Sequence, residues 1–391
     1  MTDDPAQDRI LLHPLGFRRD GTEWIVGRPD TGTFVTMPTA GVRVIHLLGA
    51  AVPPAEVRQR IHQETGTLIE IDAFIDSLCR LGFVRSLNGQ PVASAPPARS
   101  SLPRVKPDQV RWTLNPVLHA LLAALALTGL AVPLIQPQLR LHWTDLLWSN
   151  HGTAVLLGEA ALTWLLLMLH ELAHLFTARA AGVPGTIRLG TRLQFLVVQT
   201  DVSGIWLSPR RTRITVYLAG LLLDLSVVGC TLLTQLLTGP NRALAAVAAT
   251  QLGAILTEFM VFTRTDLYFV LQDLLGCRNL YHDAAAFVRF TLARASGRPA
   301  TDPLIGLSRP EGNRVRAYAV VMLLGSAACL TMAAEAWHHV VWAMLTRAGG
   351  ELFHATSWLS ALDALTTILL LLGPQALWAT VWWRQRRSRH R

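Results

Sequence analysis

Six apolar runs, at 114–135, 153–181, 214–237, 243–262, 317–345 and 359–383, constrain this chain more than any other feature of it. Each is long enough to cross a hydrocarbon core of about 30 Å. Lipid offers no partner to a backbone N–H or C=O, so a run that crosses it is predicted to satisfy its own backbone as a helix. Pro133 interrupts the first run and Pro374 the last, which membrane helices tolerate. The composition agrees, with 51% hydrophobic and 16% charged residues, too apolar for an ordinary soluble domain. The chain reads as a mainly α, polytopic membrane protein of about six transmembrane helices in a lipid bilayer.

The formal charge of +9 does not point to nucleic acid. No phosphate-binding motif accompanies the arginines, and they cluster beside the apolar runs. Arg104, Lys106 and Arg111 precede the first run. Arg179, Arg188, Arg192, Arg210, Arg211 and Arg213 lie between the second and third, and Arg264, Arg314 and Arg316 between the fourth and fifth. Arg384, Arg386, Arg387, Arg389 and Arg391 end the chain, whereas the opposite side offers Arg140, Arg242 and Arg347. This is the positive-inside asymmetry, and with an even number of spans it places both termini in the cytoplasm. Lys106 is the only lysine, so the arginine excess reads as coding bias. Cys79, Cys230, Cys277 and Cys329 show no paired spacing and read as reduced, structural residues. The acidic start, 1–8, lacks the basic and apolar regions of a cleavable signal peptide.

Residues 1–92 have a different character. Two short strands at 23–26 and 33–37 flank the turn residues Gly27, Pro29, Asp30 and Gly32 and predict a hairpin. Helical periodicity follows at 40–48, 55–63 and 71–81, where Phe74, Ile75, Leu78 and Leu81 share a face, and a strand at 83–85 closes the unit. The pattern predicts a winged-helix-like soluble domain. Ser, Pro and Ala then dominate 93–110, with Pro96, Pro97 and Pro103 excluding a continuous helix, so this stretch reads as a linker to the membrane domain at 111–391.

Within the second run lies His170-Glu171-Leu172-Ala173-His174. Imidazoles four residues apart on a helix project from one face and can grip one ion, and the adjacent glutamate can serve as a base toward a metal-bound water. Ionisable residues are costly at membrane depth and are functional by default. Catalytic zinc takes three protein ligands, so a third is required.

This segment resembles the HExxH helix of the site-2 protease family of intramembrane zinc metalloproteases, and within it the bacterial peptide zinc metalloprotease branch. The second matching stretch is Arg264-Thr265-Asp266-Leu267-Tyr268, followed by Leu271 to Gly276. The resemblance covers roughly 111–286. It implies a zinc-dependent endopeptidase with Zn2+ on His170, His174 and Asp266, and Glu171 as the catalytic base. It also implies a location in the bacterial cytoplasmic membrane. Leu267 stands where the family usually has glycine, and Asp273 is a second ligand candidate. The predicted topology independently puts Asp266 and the two histidines toward the cytoplasmic end of their spans. A helix cap formed by Thr265 and Asp266 is the alternative use of those residues.

Elsewhere in the membrane region, Ala219 to Asp224 partly matches another family element. Gly220 there permits close helix approach, and Asp224 is a candidate to orient a ligand histidine, to bind substrate backbone, or to be a satisfied buried acid. Glu159 lies three helical turns before His170, ~16 Å away, too far to share the metal. Glu258, Glu335, His338, His339 and Asp363 read as interfacial or packing residues. The interleaved stretch 186–207 predicts a small β element near the active site, whose open edge could hold an extended substrate, or a plain connector.

The element order of 1–92, with Leu81-Gly82-Phe83-Val84, resembles PqqD-like peptide-recognition domains that hold leader peptides of ribosomally made peptides. That resemblance implies capture of a peptide, or of a membrane-inserted peptide, for maturation by cleavage. The alternative is a non-proteolytic peptide-binding or export component with a degenerate metal site.

Overall fold

The computed structural model describes residues 10–66, 68–96, 100–192, 195–277, 279–354 and 357–389; the acidic start, Pro97 and Arg391 lie outside them. Among the described residues the protein is mainly helical with three small sheets. It divides into two compact units, Met1–Leu114 with His174–Val216, and Asn115–Ala173 with Tyr217–Arg391.

The first unit begins with four strands, β1 (Ile10–Leu12), β2 (Gly16–Asp20), β3 (Glu23–Arg28) and β4 (Thr33–Pro38). Helices α1 (Thr39–Gly49), α2 (Pro54–Thr65) and α3 (Ile71–Arg80) follow, then β5 (Val84–Leu87) and β6 (Gln90–Pro91). The expected β3–β4 hairpin is present, pairing Arg28 with Thr33. The two strands before it were not expected from the sequence: β1 has three residues, and β2 reads Gly-Phe-Arg-Arg-Asp, without apolar alternation. They pair in separate antiparallel sheets, ordered β1-β5-β6 and β2-β3-β4. The helices earn their place by burial of one face, Val57 and Ile61 on α2 and Ile71, Ile75 and Leu78 on α3, all within one core that includes Val26, Ile45 and Phe83. Gly66 ends α2 at φ +67°, a left-handed cap that glycine adopts without a Cβ penalty.

One polar group is built into this core. Arg28 is 2% exposed. Its Nε and Nη2 meet both oxygens of Asp30 at 3.1 and 2.6 Å, and its Nη1 donates to the Gly82 carbonyl at 2.6 Å. The guanidinium thus ties the β3–β4 turn to the turn before β5. It holds the Asp30 carboxyl below its ordinary range, while burial, reinforced by Arg28, lowers the His13 imidazole.

A short α4 (Pro107–Val110) precedes the long helices. These are α5 (Pro116–Ile135), α6 (Gly152–Ala180), α7 (Arg210–Thr238), α8 (Arg242–Glu258), α9 (Asp266–Leu275), α10 (Leu280–Ala295), α11 (Arg309–Ala336), α12 (Ala343–Phe353) and α13 (Trp358–Arg389). A π-helical segment, Trp337–Trp342, joins α11 to α12 without a break. Among the described residues four helices are long and apolar enough to cross a membrane: Pro116–Ile135, Gly152–Ala180, Arg210–Thr238 and Arg309–Phe353. α8, at 17 residues, spans about 26 Å, less than a full hydrocarbon core.

Two devices lock the second unit. At the crossing of α5 and α7, a Cβ on Gly129 would lie 2.2 Å from Gly229 Cα and one on Gly229 would lie 2.5 Å from Leu125 O, so each glycine is required by the backbone of the facing helix. Ser226 Oγ bonds Leu222 O of its own helix at 2.6 Å and lies 3.3 Å from Leu122 O across the same crossing. At the start of α6, Asp363 of α13 accepts from the backbone N–H of Gly152 and Thr153 at 3.0 and 3.1 Å, capping one helix from another. Glu159 also has a structural partnership, accepting from Trp148 Nε1 at 3.0 Å and from Thr250 Oγ1 at 2.6 Å.

The rest of the first unit is the antiparallel hairpin β7 (Thr186–Arg192) and β8 (Phe195–Asp201), which settles 186–207 as a β element. A 3-10 turn, Ser203–Leu207, follows it. The N-terminal strands rest on that turn: Arg18 Nε donates to Trp206 O at 2.6 Å, and Leu207 packs against Gly16 so closely that a Cβ there would meet its Cδ1 at 2.1 Å. Arg179, expected from the sequence to be a topological charge, is 8% exposed and gathers the carbonyls of Ser101, Leu102 and Val105 and the Ser100 hydroxyl. Ser101 also bonds Gly185 and Ile187. This part of the Pro-rich stretch is therefore fastened.

Two outcomes follow from these contacts. Arg28→Ala should cost the N-terminal elements about 2 kcal/mol, the scale of hydrogen bonds to a charged group, read as faster hydrogen exchange across 10–92. Because His13 and Asp30 both have lowered folded pKa values, wild-type protection should fall as pH drops from the ordinary His value of about 6.5 toward the lower folded one, and again below the ordinary Asp value of about 4, and the lower step should vanish in the variant. Gly229→Leu should lower the thermal midpoint in detergent by an amount corresponding to ~1–3 kcal/mol of overpacking or more. Gly253→Leu, where no atom lies within 4 Å of the added Cβ, should leave it unchanged.

Candidate metal centre

Helix α6 is continuous through His170, Glu171 and His174, so the four-residue spacing puts both imidazoles on one face as the sequence predicts. His170 and His174 lie ten and six residues before the end of the helix at Ala180, about 15 and 9 Å at 1.5 Å per residue. His170, Glu171 and His174 are each less than a tenth exposed. One ligand atom from each of His170, His174 and Asp266 lies within 4.8 Å of the others, so the three form a possible metal-binding triad. Asp273 falls two turns further along α9 and is outside this group.

The outer ring nitrogens are committed. His170 Nδ1 meets Asp224 Oδ2 at 2.7 Å, and His174 Nδ1 meets the Val216 carbonyl at 2.7 Å. A carbonyl can only accept, so His174 carries its proton on Nδ1, and the carboxylate at Asp224 favours the same tautomer on His170. Both rings then present an Nε2 lone pair. Of the roles open to Asp224, the geometry favours orientation of the His170 ring.

Asp266 begins α9 and is aimed by the residues before it. His170 Nε2 and Asp266 Oδ2 stand 3.1 Å apart, near the ~3.4 Å that separates two ligands ~2.1 Å from a tetrahedral zinc. Thr265 does not cap the helix with its side chain; its hydroxyl donates to Glu258 O at 2.6 Å. Glu258 Oε2 accepts from the Asp266 N–H at 3.0 Å. Glu258, set aside from the sequence as a packing residue, thus holds the ligand's backbone from eight positions upstream. Its signal was an acid at the end of an apolar run, with nothing to say the chain returns to it. Leu267 lies in ordinary helix and packs with Leu221, Val228 and Ile255, so no glycine is needed there. Glu335 and His339 pair with each other at 3.1 Å, apart from this centre.

Two imidazole nitrogens and a carboxylate oxygen, with a further carboxylate behind one ring, suit a divalent ion with a free position. Asp224→Ala should weaken binding of an added divalent ion such as Zn2+ by about 10–100-fold, the usual cost of losing such support, measured by chelator-competition titration of the purified protein; Asp224→Asn should lose less. No protein-family model, curated protein or solved structure matches the chain, so the centre is read from its own geometry.

Proposed function

We propose that the chain is a membrane-embedded, zinc-dependent endopeptidase of site-2 protease type. The observation that carries this reading is the convergence of His170, His174 and Asp266 beside a buried Glu171 on a helix long and apolar enough to span a bilayer. Zinc, when bound, supplies a Lewis acid and lowers the pKa of a water so that it can lose a proton near neutral pH. Glu171 takes that proton on its carboxylate and passes it to the leaving amine nitrogen as the peptide C–N bond breaks. Asp224 and the Val216 carbonyl hold the two rings in the tautomer that binds.

The membrane reading extends to six spans, with α8 and α13 completing the four longer helices and both termini cytoplasmic. Trp337, Trp342 and Trp358, all exposed, support an aromatic belt at the far interface. Residues 1–92 serve as a PqqD-like domain that captures a precursor or membrane-associated peptide, joined through 93–110 to the protease at 111–391. The β7–β8 hairpin offers backbone groups to the same extended peptide.

Glu171→Gln should keep about one zinc per chain and lose roughly 10²–10⁴ of the hydrolytic rate, the contribution of a general base. Asp266→Ala should lose the zinc itself. The measurements are metal content and cleavage of a randomised peptide library by the purified protein. Undiminished cleavage by Glu171→Gln would remove the proposal.

A further inference from the structure

Two residues before the third ligand, Arg264 adopts the left-handed conformation at φ 59°, ψ 50°. L residues other than glycine enter this region rarely and at an energetic cost, and such outliers concentrate at functional sites. The side chain is held as well as the backbone. Its guanidinium carbon lies 4.8 Å from the Tyr281 ring centroid, and Nη2 is 2.9 Å from His282 Nδ1. Both partners sit in the first turn of α10. The Tyr281 N–H donates to the Tyr268 hydroxyl at 3.3 Å, and Tyr268 is a buried residue of α9, the helix that Asp266 begins. Arg264 is therefore fixed relative to the ligand by a chain of contacts that returns to the ligand's own helix.

No contact of Arg264 among the described residues is with a carboxylate. Four other arginines spend the fork on one, Arg28 with Asp30, Arg43 with Glu64, Arg58 with Asp72 and Arg347 with Glu351, and the buried Arg179 fills it with three carbonyls and a hydroxyl. A guanidinium stacked on a ring and bonded at one nitrogen keeps the rest of its planar fork for an acceptor, and the acceptor that matches this fork is a carboxylate. The side chain is exposed, so an incoming group can reach it.

We infer that Arg264 anchors a carboxylate of the peptide substrate, either an acidic side chain or the C-terminus, beside the metal centre. This rests on the peptidase reading. Strain in the backbone then has a use, since it sets the guanidinium at the loop before Asp266 without a carboxylate of its own.

The test uses the full-length protein in detergent and randomised peptides made both as free acids and as C-terminal amides, with cleavage sites read by mass spectrometry. A side-chain anchor gives an Asp or Glu preference at a fixed distance from the cut of roughly tenfold or more over Asn and Gln, the scale of one charge-assisted pair. A terminal anchor gives the same preference for free acids over amides. Arg264→Gln should erase the preference by raising KM for acidic peptides toward that of neutral ones, with zinc content retained, and Arg264→Lys should keep part of it. Absence of any acidic preference in the wild type, or its survival in Arg264→Gln, overturns the inference. If the wild type cleaves nothing, the peptidase reading fails by itself. The anchor is then judged by fluorescence anisotropy of labelled acidic and neutral peptide pairs on zinc-loaded Glu171→Gln. Equal or absent binding, or an acidic preference unchanged by adding Arg264→Gln, overturns it.

Discussion

The buried imidazole of His170, with a carboxylate oxygen at each of its ring nitrogens, is the interaction on which the rest of the centre depends. Asp224 lies 2.7 Å from Nδ1 and Asp266 3.1 Å from Nε2. Glu171 is buried next to it. Three acidic side chains and two imidazoles thus converge among long apolar helices, and a carboxylate withdrawn from water needs a hydrogen bond or a positive charge beside it. Positive charge at the centre, whether a divalent cation or an imidazolium at His170 between its two carboxylates, offsets them.

Such a centre requires its helix to stay in register, and α6 is restrained along its length by groups that are themselves polar. Asp363 caps its first turn, Glu159 bonds Trp148 and Thr250, and Arg179 near its end draws in four groups from residues 100–105. Each bond is part-buried, so it orients its groups more strongly than it would in open water. A cation near the last turn also complements the helix dipole.

What the sequence disclosed and what it hid divide by range. Spacing within one helix was legible: His170 and His174, the apolar runs, the faces of α2 and α3, the β3–β4 hairpin. Asp224 was visible as an acid where lipid disfavours one, with its role left open among three. Hidden were the contacts made by return of the chain. Arg179 has the look of any membrane-flanking arginine until residues 100–105 fold back to it. Gly129 and Gly229 are unremarkable glycines a hundred residues apart until their helices cross. β1 and β2 are too short or too charged to alternate, and they exist because β5 and β3 supply their hydrogen bonds.

The loop from Glu258 to Asp266 shows how Asp266 is positioned with leucine, and not glycine, at the next position. A ligand that begins a helix must be delivered by a turn, and a glycine beside it is one way to make that turn. Here the reversal is made earlier: Met260 leaves α8, a 3-10 turn spans Val261–Thr263, and Arg264 takes the left-handed step. Two hydrogen bonds back to Glu258, from the Thr265 hydroxyl and the Asp266 N–H, close the loop, and the Tyr318 hydroxyl bonds Val261 O from α11. With the chain already turned, position 267 is free to be an ordinary helical residue, and a leucine there gains burial that glycine could not supply. The cost of the left-handed arginine, of order 1–3 kcal/mol, is met by stacking on Tyr281 and by the closed loop, and the ligand is held in consequence.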